Sequence, residues 1–443
     1  MLLGTQKING RGHLEVGGCD AVELAQRFGT PLYVMDEACL RAMCRAYRGA
    51  FAQRFRDSLV IFAGKAFLTL AMCRIADEEG LGLDVSSAGE LHTGLHAEFP
   101  PERIVMHGNN KSVAEVEMAL DAGVGRIVVD SEVEIGLLQR VAAARGRTAQ
   151  VLLRVTPGIE AHTHDYIQTG KIDTKFGISI GTHQALPAVE RILASPNLGL
   201  RGLHCHIGSQ LFHLEPFDIA VRMMADFMRE VRDATGYVAA ELDLGGGLGV
   251  RYRSTDHPPS VEDYAETVAA ALREQCERHG LPEPKIMAEP GRSIVGEAGL
   301  TLYTVGVIKD IPGVRTYVSV DGGMSDNPRP ALYQAEYELI VANKAAAAVN
   351  GRVTISGKHC ETDTLIADIE VPELAVGDIL AVQTTGAYNY TMSSNYNRLP
   401  RPAVVLVHDG EAEVIVERET LDDLLRQERL PPRLERRGRT GCG

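Results

Sequence analysis

Short apolar strands alternate with amphipathic helices from about residue 58 to residue 310, and this alternation limits the possible folds more than any other feature. Eight strand-like segments begin near residues 58, 81, 103, 126, 149, 200, 240 and 285. Between them apolar residues recur three and four positions apart, as in Phe217, Val221 and Met224. The pattern predicts an α/β chain with a (β/α)8 TIM barrel, whose active site lies at the carboxyl ends of the strands.

A different pattern follows the barrel region. From residue 311 to 430 the strand-like runs are broken by Gly, Pro and Asp, which predicts a C-terminal β-sandwich or β-barrel domain. Residues 1–35 contain one short helical segment and the strand-like PLYVMD at 31, so we expect the N-terminal segment to join that β domain. This division leaves residues 36–310 for the barrel. The Pro-, Arg- and Gly-rich residues 431–443 are expected to form a poorly ordered tail.

Composition excludes several classes of partner. The formal net charge of -14 would repel a phosphate backbone, so neither nucleic acid nor an anionic membrane is expected to bind. No apolar run reaches the length of a signal peptide or a membrane span, which predicts a cytoplasmic protein. The 8 cysteines form no CxxC pair and no cluster with metal-ligand spacing, so no metal site is expected.

Unusual polar and glycine-rich clusters fall where predicted strands end. Lys65 ends the first strand among small and apolar residues, which would desolvate its amine and lower its pKa. HCHIGSQ at 204–210, GGGLG at 245–249 and EPGRS at 289–293 end the last three strands. Barrels commonly bind phosphate after strands seven and eight, where glycines let backbone N–H groups approach it. Each cluster alone could be a solvated lysine or a tight turn, but their shared position predicts one active site.

These clusters resemble the fold-type III, alanine-racemase-like group of pyridoxal-phosphate enzymes, and within it the diaminopimelate decarboxylase family. The resemblance covers nearly the whole chain. Its further motifs are GLGLDVSSAGEL at 80, HGNNKS at 107, HDYIQTGKIDTKFGI at 164, DGGMSDNPRPALY at 321, GKHCET at 357 and GAYNYTMSSNYN at 386. It implies a carboxy-lyase with pyridoxal 5'-phosphate as its cofactor. The implied reaction converts meso-2,6-diaminopimelate to L-lysine and carbon dioxide, the last step of lysine biosynthesis.

The resemblance also implies a role for individual residues. Lys65 forms the Schiff base with the cofactor, His206 lies against the cofactor ring, and Cys360 is the third catalytic residue, as the proton donor. The other residues implied to bind the cofactor are Ser209, Gly246, Gly247, Glu289, Pro290, Gly291, Arg292 and Tyr388. Those implied to bind the substrate are Arg292, Arg329, Tyr333, Glu361 and Tyr388. In relatives Cys360 and Glu361 reach the site from the neighbouring subunit, which implies a homodimer with a shared active site.

The chemistry of Glu289 supports a lyase independently of the family. A carboxylate beside the pyridine nitrogen keeps that nitrogen protonated, so the ring can accept the electron pair left by departing carbon dioxide. By the same resemblance, a racemase of this fold carries Arg at this position, because racemisation needs no such electron sink. Glu289 therefore favours a decarboxylase.

Other functions remain open at this stage. A decarboxylase of a related diamino acid, of the ornithine, arginine or lysine type or from a natural-product pathway, differs only in its distal pocket. A non-catalytic pyridoxal-phosphate-binding protein would have no use for Cys360 and Glu361. A lysine-dependent aldolase would have no use for the phosphate site or Glu289. Two positions depart from the family pattern. Phe67 stands where the family usually has Asn, and the acid that follows the Cys comes one residue early, at Asp363. The sequence therefore does not predict the conformation of the loop at Cys360.

Overall fold

The computed structural model describes residues 1–158 and 174–434. The tail residues 435–443 and most of the motif at 164–178 therefore lie outside the described residues. The N-terminal elements are β1 (Lys7–Ile8), β2 (Leu14–Val16), β3 (Cys19–Asp20), α1 (Ala21–Phe28), β4 (Leu32–Asp36) and α2 (Glu37–Arg54). The first three strands form a small antiparallel sheet that leads into α1, whose first turn is capped by the Asp20 side chain.

Alternating strands and helices follow, as the sequence predicts. The elements are β5 (Ser58–Ala63), α3 (Leu70–Glu78), β6 (Gly82–Val85), α4 (Ala88–His96), β7 (Ile104–Met106), α5 (Val113–Ala122), β8 (Arg126–Val129), α6 (Glu132–Ala144), β9 (Ala149–Thr156), β10 (Ile178–Ser179), α7 (Ala185–Leu193), β11 (Leu198–His204), α8 (Glu215–Thr235), β12 (Glu241–Asp243), α9 (Val261–His279), β13 (Lys285–Ala288) and α10 (Arg292–Val295). All eight predicted strands are present.

The eight strands close into a parallel barrel. The order β9, β11, β12, β13, β5, β6, β7, β8 returns to β9 through a parallel β8–β9 pairing, while β10 pairs with β9 alone. The predicted TIM barrel is confirmed. Since the strands are parallel, the segments that follow them meet at one end of the barrel.

Side-chain alternation explains why these strands are almost wholly apolar. One set of side chains fills the barrel interior, including Ile61, Val105 and Leu152. The alternate residues, such as Val60 and Phe62, pack outward against the helices in the main core. A strand buried on both faces reads as a continuous apolar run, which is the pattern of a parallel sheet in an α/β protein.

Serine residues start several of the barrel helices. Ser87, Ser112, Ser131 and Ser260 each precede a helix, and their side chains accept a hydrogen bond from a backbone N–H in its first turn. At Ser112 the Glu115 side chain returns the interaction and completes a capping box. Three of these caps end the short connections after β6, β7 and β8, and Ser260 ends the longer connection after β12.

The C-terminal elements form the predicted β domain. They are β14 (Gly299–Ile311), β15 (Arg315–Val320), α11 (Arg329–Tyr333), β16 (Leu339–Val341), β17 (Gly351–Ser356), β18 (Thr364–Val371), β19 (Ile379–Val382), β20 (Ala403–His408) and β21 (Glu411–Val416). Short 3-10 turns cover Gly64–Ala66, Pro101–Arg103, Ala342–Lys344, Tyr390–Met392, Tyr396–Arg398, Asp423–Leu425 and Pro432–Leu434.

The N-terminal strand β4 lies inside the C-terminal sheet. It pairs in antiparallel fashion with β14 and in parallel with β20, so both ends of the chain build one sheet. This confirms that the N-terminal strand contributes to the β domain. The sheet also includes all of β14, which starts at Gly299 and so lies largely before the boundary expected at residue 310. Among the described residues, no helix combines the length and apolar character needed to cross a membrane.

Candidate active site

A cavity of about 140 Å³ opens at the carboxyl end of the barrel. The predicted residues that line it are Lys65, His206, Ser209, Gly246, Gly247, Glu289, Gly291, Arg292 and Tyr388. Most of them follow β5, β11, β12 or β13. Tyr388 comes from the β domain, and its backbone N–H donates to Ala66 O of the barrel at 2.9 Å. The closed barrel thus joins segments that are far apart in the sequence.

Lys65 lies in the turn Gly64–Ala66 directly after β5 and faces the cavity. Burial acts to lower its pKa, but the carboxylate of Asp84, together with Tyr388 and Glu289, outweighs burial and raises the pKa above its ordinary value. The expected lowering by apolar neighbours is therefore wrong. The residues adjacent in sequence are small and apolar, but the nearest charges come from the ends of β6 and β13.

Three glycines shape the wall of the cavity next to the helix α10. A side chain at Gly246 would place its Cβ 2.3 Å from Glu289 O, and one at Gly247 would place it 2.7 Å from Gly208 O. Gly247 also has φ +127°, a conformation that other residues rarely adopt. At Gly291 a Cβ would lie 3.0 Å from the Cβ atoms of Ala63 and Ala66. This surface of bare backbone fits the phosphate cradle predicted from GGGLG and EPGRS.

We expect Gly247→Ala to weaken pyridoxal phosphate binding by about tenfold or more. The added methyl group would distort the cradle, and each hydrogen bond to a charged group that is lost costs about 1.5–3 kcal/mol. Titration of the apoprotein with the cofactor, followed by absorbance, measures this. Gly49→Ala is the matched control, since Gly49 lies in α2 with nothing within 4 Å of the added Cβ. Equal affinity of Gly247→Ala and wild type would contradict the cradle.

Arg292 connects the cradle to the interior of the β domain. Its Nη2 donates to Ser209 Oγ at 3.1 Å and its Nη1 donates to Tyr252 OH at 2.5 Å. The guanidinium also lies over the Tyr388 ring, 4.8 Å from the centroid. The buried Nε atom has no hydrogen-bond partner in the part of the chain that the structure describes. Arg292 is therefore a fixed cation at the cavity wall, at the place where the sequence predicts that an anionic phosphate group binds.

Glu289 is buried between two imidazoles. His107 Nε2 lies 2.5 Å from Oε1, and His204 Nε2 lies 3.2 Å from Oε2. Burial alone would raise the pKa of Glu289, but the two histidines, His107 foremost, hold that pKa well below its ordinary value. The structure therefore presents an ionised carboxylate to the cavity, as the role beside a pyridine nitrogen requires.

His206 lines the cavity itself. Its Nδ1 accepts a hydrogen bond from the Gly246 N–H at 3.3 Å, so its proton is on Nε2. Burial, reinforced by the positive charges of Lys65 and Arg154, lowers the pKa of His206 well below its ordinary value. A neutral, flat ring held beside the glycine cradle suits the predicted contact with a cofactor ring.

The predicted substrate residues are only partly brought together. Arg329 is buried, donates to Tyr337 OH at 2.7 Å and lies 4.6 Å from the centroid of Tyr252. Arg292 contacts the same Tyr252 ring, so the two arginines are separated by one tyrosine. Tyr333, at the end of α11, is 62% exposed and does not line the cavity.

Cys360 and Glu361 lie on an exposed loop outside the cavity of their own chain. The Cys360 N–H donates to Asn397 Oδ1 at 3.0 Å, and Tyr396 OH donates to Glu361 at 2.6 Å. The early acid Asp363 anchors this loop, because its carboxylate lies 2.6 Å from His359 Nδ1 and accepts from the Met324 N–H at 2.7 Å. The departure from the family pattern thus has a clear structural use.

Several site residues were missed although their motifs were recognised. They are Asp84 near the end of β6, His107 after β7, His204 at the end of β11 and Tyr252 after GGGLG. The first three end barrel strands, so strand-end position was a usable signal for them. The ligand-type atoms of His107, His204 and Glu289 lie within 4.8 Å of one another, but direct carboxylate contact with each ring accounts for the cluster without an ion between them.

A barrel that joins a lysine, a glycine cradle and an ionised carboxylate at its carboxyl end defines a class, the pyridoxal-dependent decarboxylases. The family model described as pyridoxal-dependent decarboxylase, pyridoxal binding domain, matches residues 39–296, which confirms the predicted cofactor. Diaminopimelate decarboxylase of Bacillus subtilis (strain 168) is 50% identical over 426 residues, covering 96% of this chain and 97% of its own. The chain belongs to the diaminopimelate decarboxylase family.

Further relatives agree over the full length. Diaminopimelate decarboxylase of Synechocystis sp. is 46% identical over 442 residues, 97% of this chain and 93% of its own. The crystal structure of diaminopimelate decarboxylase from M. jannaschii in complex with L-lysine is 36% identical, with a TM-score of 0.93 and coverage of 98% of this chain and 100% of that chain. The match spans the barrel and the β domain alike.

Proposed function

We propose that the protein decarboxylates meso-2,6-diaminopimelate to L-lysine and carbon dioxide with pyridoxal 5'-phosphate as its cofactor, as the last step of lysine biosynthesis. The observation that carries this is the meeting of Lys65, the glycine cradle and ionised Glu289 in one cavity. The names of the close relatives and the L-lysine complex of the M. jannaschii protein support the same reaction.

The residues of the cavity suit the chemical groups of the cofactor. Gly246, Gly247 and Gly291 offer backbone at one side for the phosphate, with Ser209 and Arg292 beside them. Bound pyridoxal phosphate supplies a protonated ring that accepts the electron pair left by departing carbon dioxide.

The chain's own groups then divide the work at the ring. Lys65 would hold the cofactor covalently, and Asp84 and Glu289 surround its amine with negative charge. Glu289 would keep the ring nitrogen protonated, and neutral His206 would lie against the ring. Tyr388 closes the cavity from the β domain. Since these groups are fixed by the barrel, little reorganisation is needed during the reaction.

The distal end of the substrate requires charges of both signs. Arg292 lines the cavity and Arg329 lies on the other side of the Tyr252 ring, and a planar guanidinium can bind a carboxylate through two parallel hydrogen bonds. Tyr333 and Glu361 are proposed to complete the binding of the distal carboxylate and ammonium groups. Ornithine, arginine and lysine lack a second carboxylate, so they would leave a buried arginine without its partner, which is costly.

A second subunit completes the site in this proposal. Cys360, the proposed proton donor to the substrate carbon, and Glu361 are exposed and do not reach the cavity of their own chain. A homodimer in which each chain lends this loop to its partner supplies them. We place the enzyme in the cytoplasm, where amino-acid biosynthesis proceeds.

The proposal is tested with purified protein, pyridoxal phosphate and single amino acids as substrates. We expect lysine and carbon dioxide in equal amounts from meso-diaminopimelate, and turnover lower by about 10³-fold or more with ornithine, arginine and lysine, because the buried arginine is left unpaired. Chromatography of the products measures this. Efficient turnover of one of the three controls with none of diaminopimelate would overturn the proposed substrate while leaving the cofactor site intact.

A further inference from the structure

The carboxylate of Glu289 has an unusual number of buried ionisable neighbours. His107 and His204 contact one oxygen each, and the two imidazole rings meet edge to face with centroids 4.9 Å apart. Asp84 Oδ1 lies 3.8 Å from His107 Nε2. Asp243 is also buried in this cluster, where burial and the nearby charge of Glu289 raise its pKa well above its ordinary value. The charge on Glu289 therefore depends on its neighbours more than on solvent.

The two histidines differ in charge. His107 lies against two carboxylates, and these outweigh burial and raise its pKa above its ordinary value. Glu289 is the carboxylate that His204 contacts, the Nδ1 of His204 has no hydrogen-bond partner among the described residues, and burial lowers the pKa of His204 to about 4. His107 is thus the cation of the cluster and His204 a neutral donor. The short 2.5 Å contact belongs to the charged member.

A separate brace fixes the loop that carries His107. The His107 N–H donates to Val85 O at 2.8 Å. The Lys111 side chain is 1% exposed, and its ammonium donates to Gly108 O at 2.8 Å, Val128 O at 2.6 Å and Glu134 Oε1 at 2.6 Å. All three ammonium hydrogens are used within the protein. The loop 107–111 is therefore pinned to β8 and α6, and His107 cannot swing away from Glu289 without breaking this set.

We propose that His107, held in place by Lys111, is a positioning residue that acts through Glu289, fixing the orientation and negative charge of the carboxylate that faces the ring nitrogen of the cofactor. The inference rests on the proposed function only in that the cavity binds pyridoxal phosphate. It gives a role to the HGNNKS motif, which has none in the proposed mechanism. An ordinary structural histidine would contribute to stability without acting through Glu289.

A double-mutant cycle of His107→Gln and Glu289→Gln tests this. The readouts are the dissociation constant of pyridoxal phosphate and the absorbance maximum of the bound cofactor, both measured without diaminopimelate, so that an error in the proposed substrate does not affect them. We expect His107→Gln to weaken cofactor binding about tenfold or more and to shift the absorbance maximum in the wild-type background. In the Glu289→Gln background the same change should alter binding by less than about twofold.

The controls separate this role from folding. His279→Gln removes a histidine whose Nε2 lies 2.9 Å from Asp226 Oδ1 between α8 and α9, remote from the cavity, and should change neither readout. If His107→Gln does not fold, the double variant Lys111→Met/Glu134→Leu removes both partners of the brace and leaves no buried charge. Its effect on cofactor binding should show the same non-additivity with Glu289→Gln. Equal effects in both backgrounds, or no effect in either, would overturn the proposal.

Discussion

Replacing Lys65 by alanine is expected to lower kcat for lysine formation by at least about 10³-fold, because the covalent attachment of the cofactor and a proton-transferring amine are lost together. Among the residues that the structure describes, Lys65 is the lysine that lines the cavity, and Asp84 and Glu289 set the charge around it. Steady-state assays at saturating pyridoxal phosphate, with the visible spectrum of the protein, measure the effect.

Lys285→Ala is the control for this change. Lys285 starts β13 and lies 3.5 Å from Asp57, so it sits at the amino end of the barrel and away from the cavity. We expect its kcat to remain within about twofold of wild type, because an exposed ion pair contributes little. A Lys65→Ala variant that kept a tenth of the wild-type kcat would remove Lys65 from its assigned role.

Replacing Cys360 by alanine is expected to lower kcat by about 10²–10⁴-fold, the usual contribution of a general acid. The expectation is notable because Cys360 lies on the surface of its own chain, held by Asn397. A loss of this size from an exposed residue is understandable only if the loop enters another cavity. The protein should keep its cofactor spectrum, since Cys360 is not one of the residues proposed to hold the cofactor.

Mixing the two inactive variants tests the shared site directly. After subunit exchange, half of the dimers should pair Lys65→Ala with Cys360→Ala and contain one complete site, which restores roughly a quarter of the wild-type activity. The matched control mixes Lys65→Ala with the double variant Lys65→Ala/Cys360→Ala, in which no site can be complete. No recovery in the first mixture, with exchange verified, would place Cys360 in its own chain's site or outside the mechanism.

The barrel was predictable because each strand is buried on both faces. Segments such as Ser58–Ala63 and Ala149–Thr156 read as continuous apolar runs, and the helices between them keep a regular apolar spacing. The strand Leu32–Asp36 could also be assigned to the β domain from its isolation before the barrel. The start of the strand Gly299–Ile311 was harder to predict, because its first half is as apolar as the barrel strands before it.

The site was predictable where position in the barrel and residue type agree. Lys65, Glu289 and Arg292 each combine a strand end with a distinctive side chain, and all line the cavity. The contact of Glu289 with His107 joins residues 182 positions apart and depends on barrel closure, so local patterns could not reveal it. The raised pKa of Lys65 has the same origin, since its causes are charges on other strands.

Lys65 in this cavity is assigned to carry pyridoxal phosphate, and the most direct test is to locate the cofactor chemically. Protein loaded with pyridoxal phosphate is reduced with sodium borohydride, which makes a lysine–cofactor bond permanent, and is then digested and analysed by mass spectrometry. We predict one cofactor per chain, on the peptide that contains Lys65, and none after addition of the cofactor to Lys65→Ala. A modification spread over several lysines, or concentrated on one outside the cavity, would contradict the account.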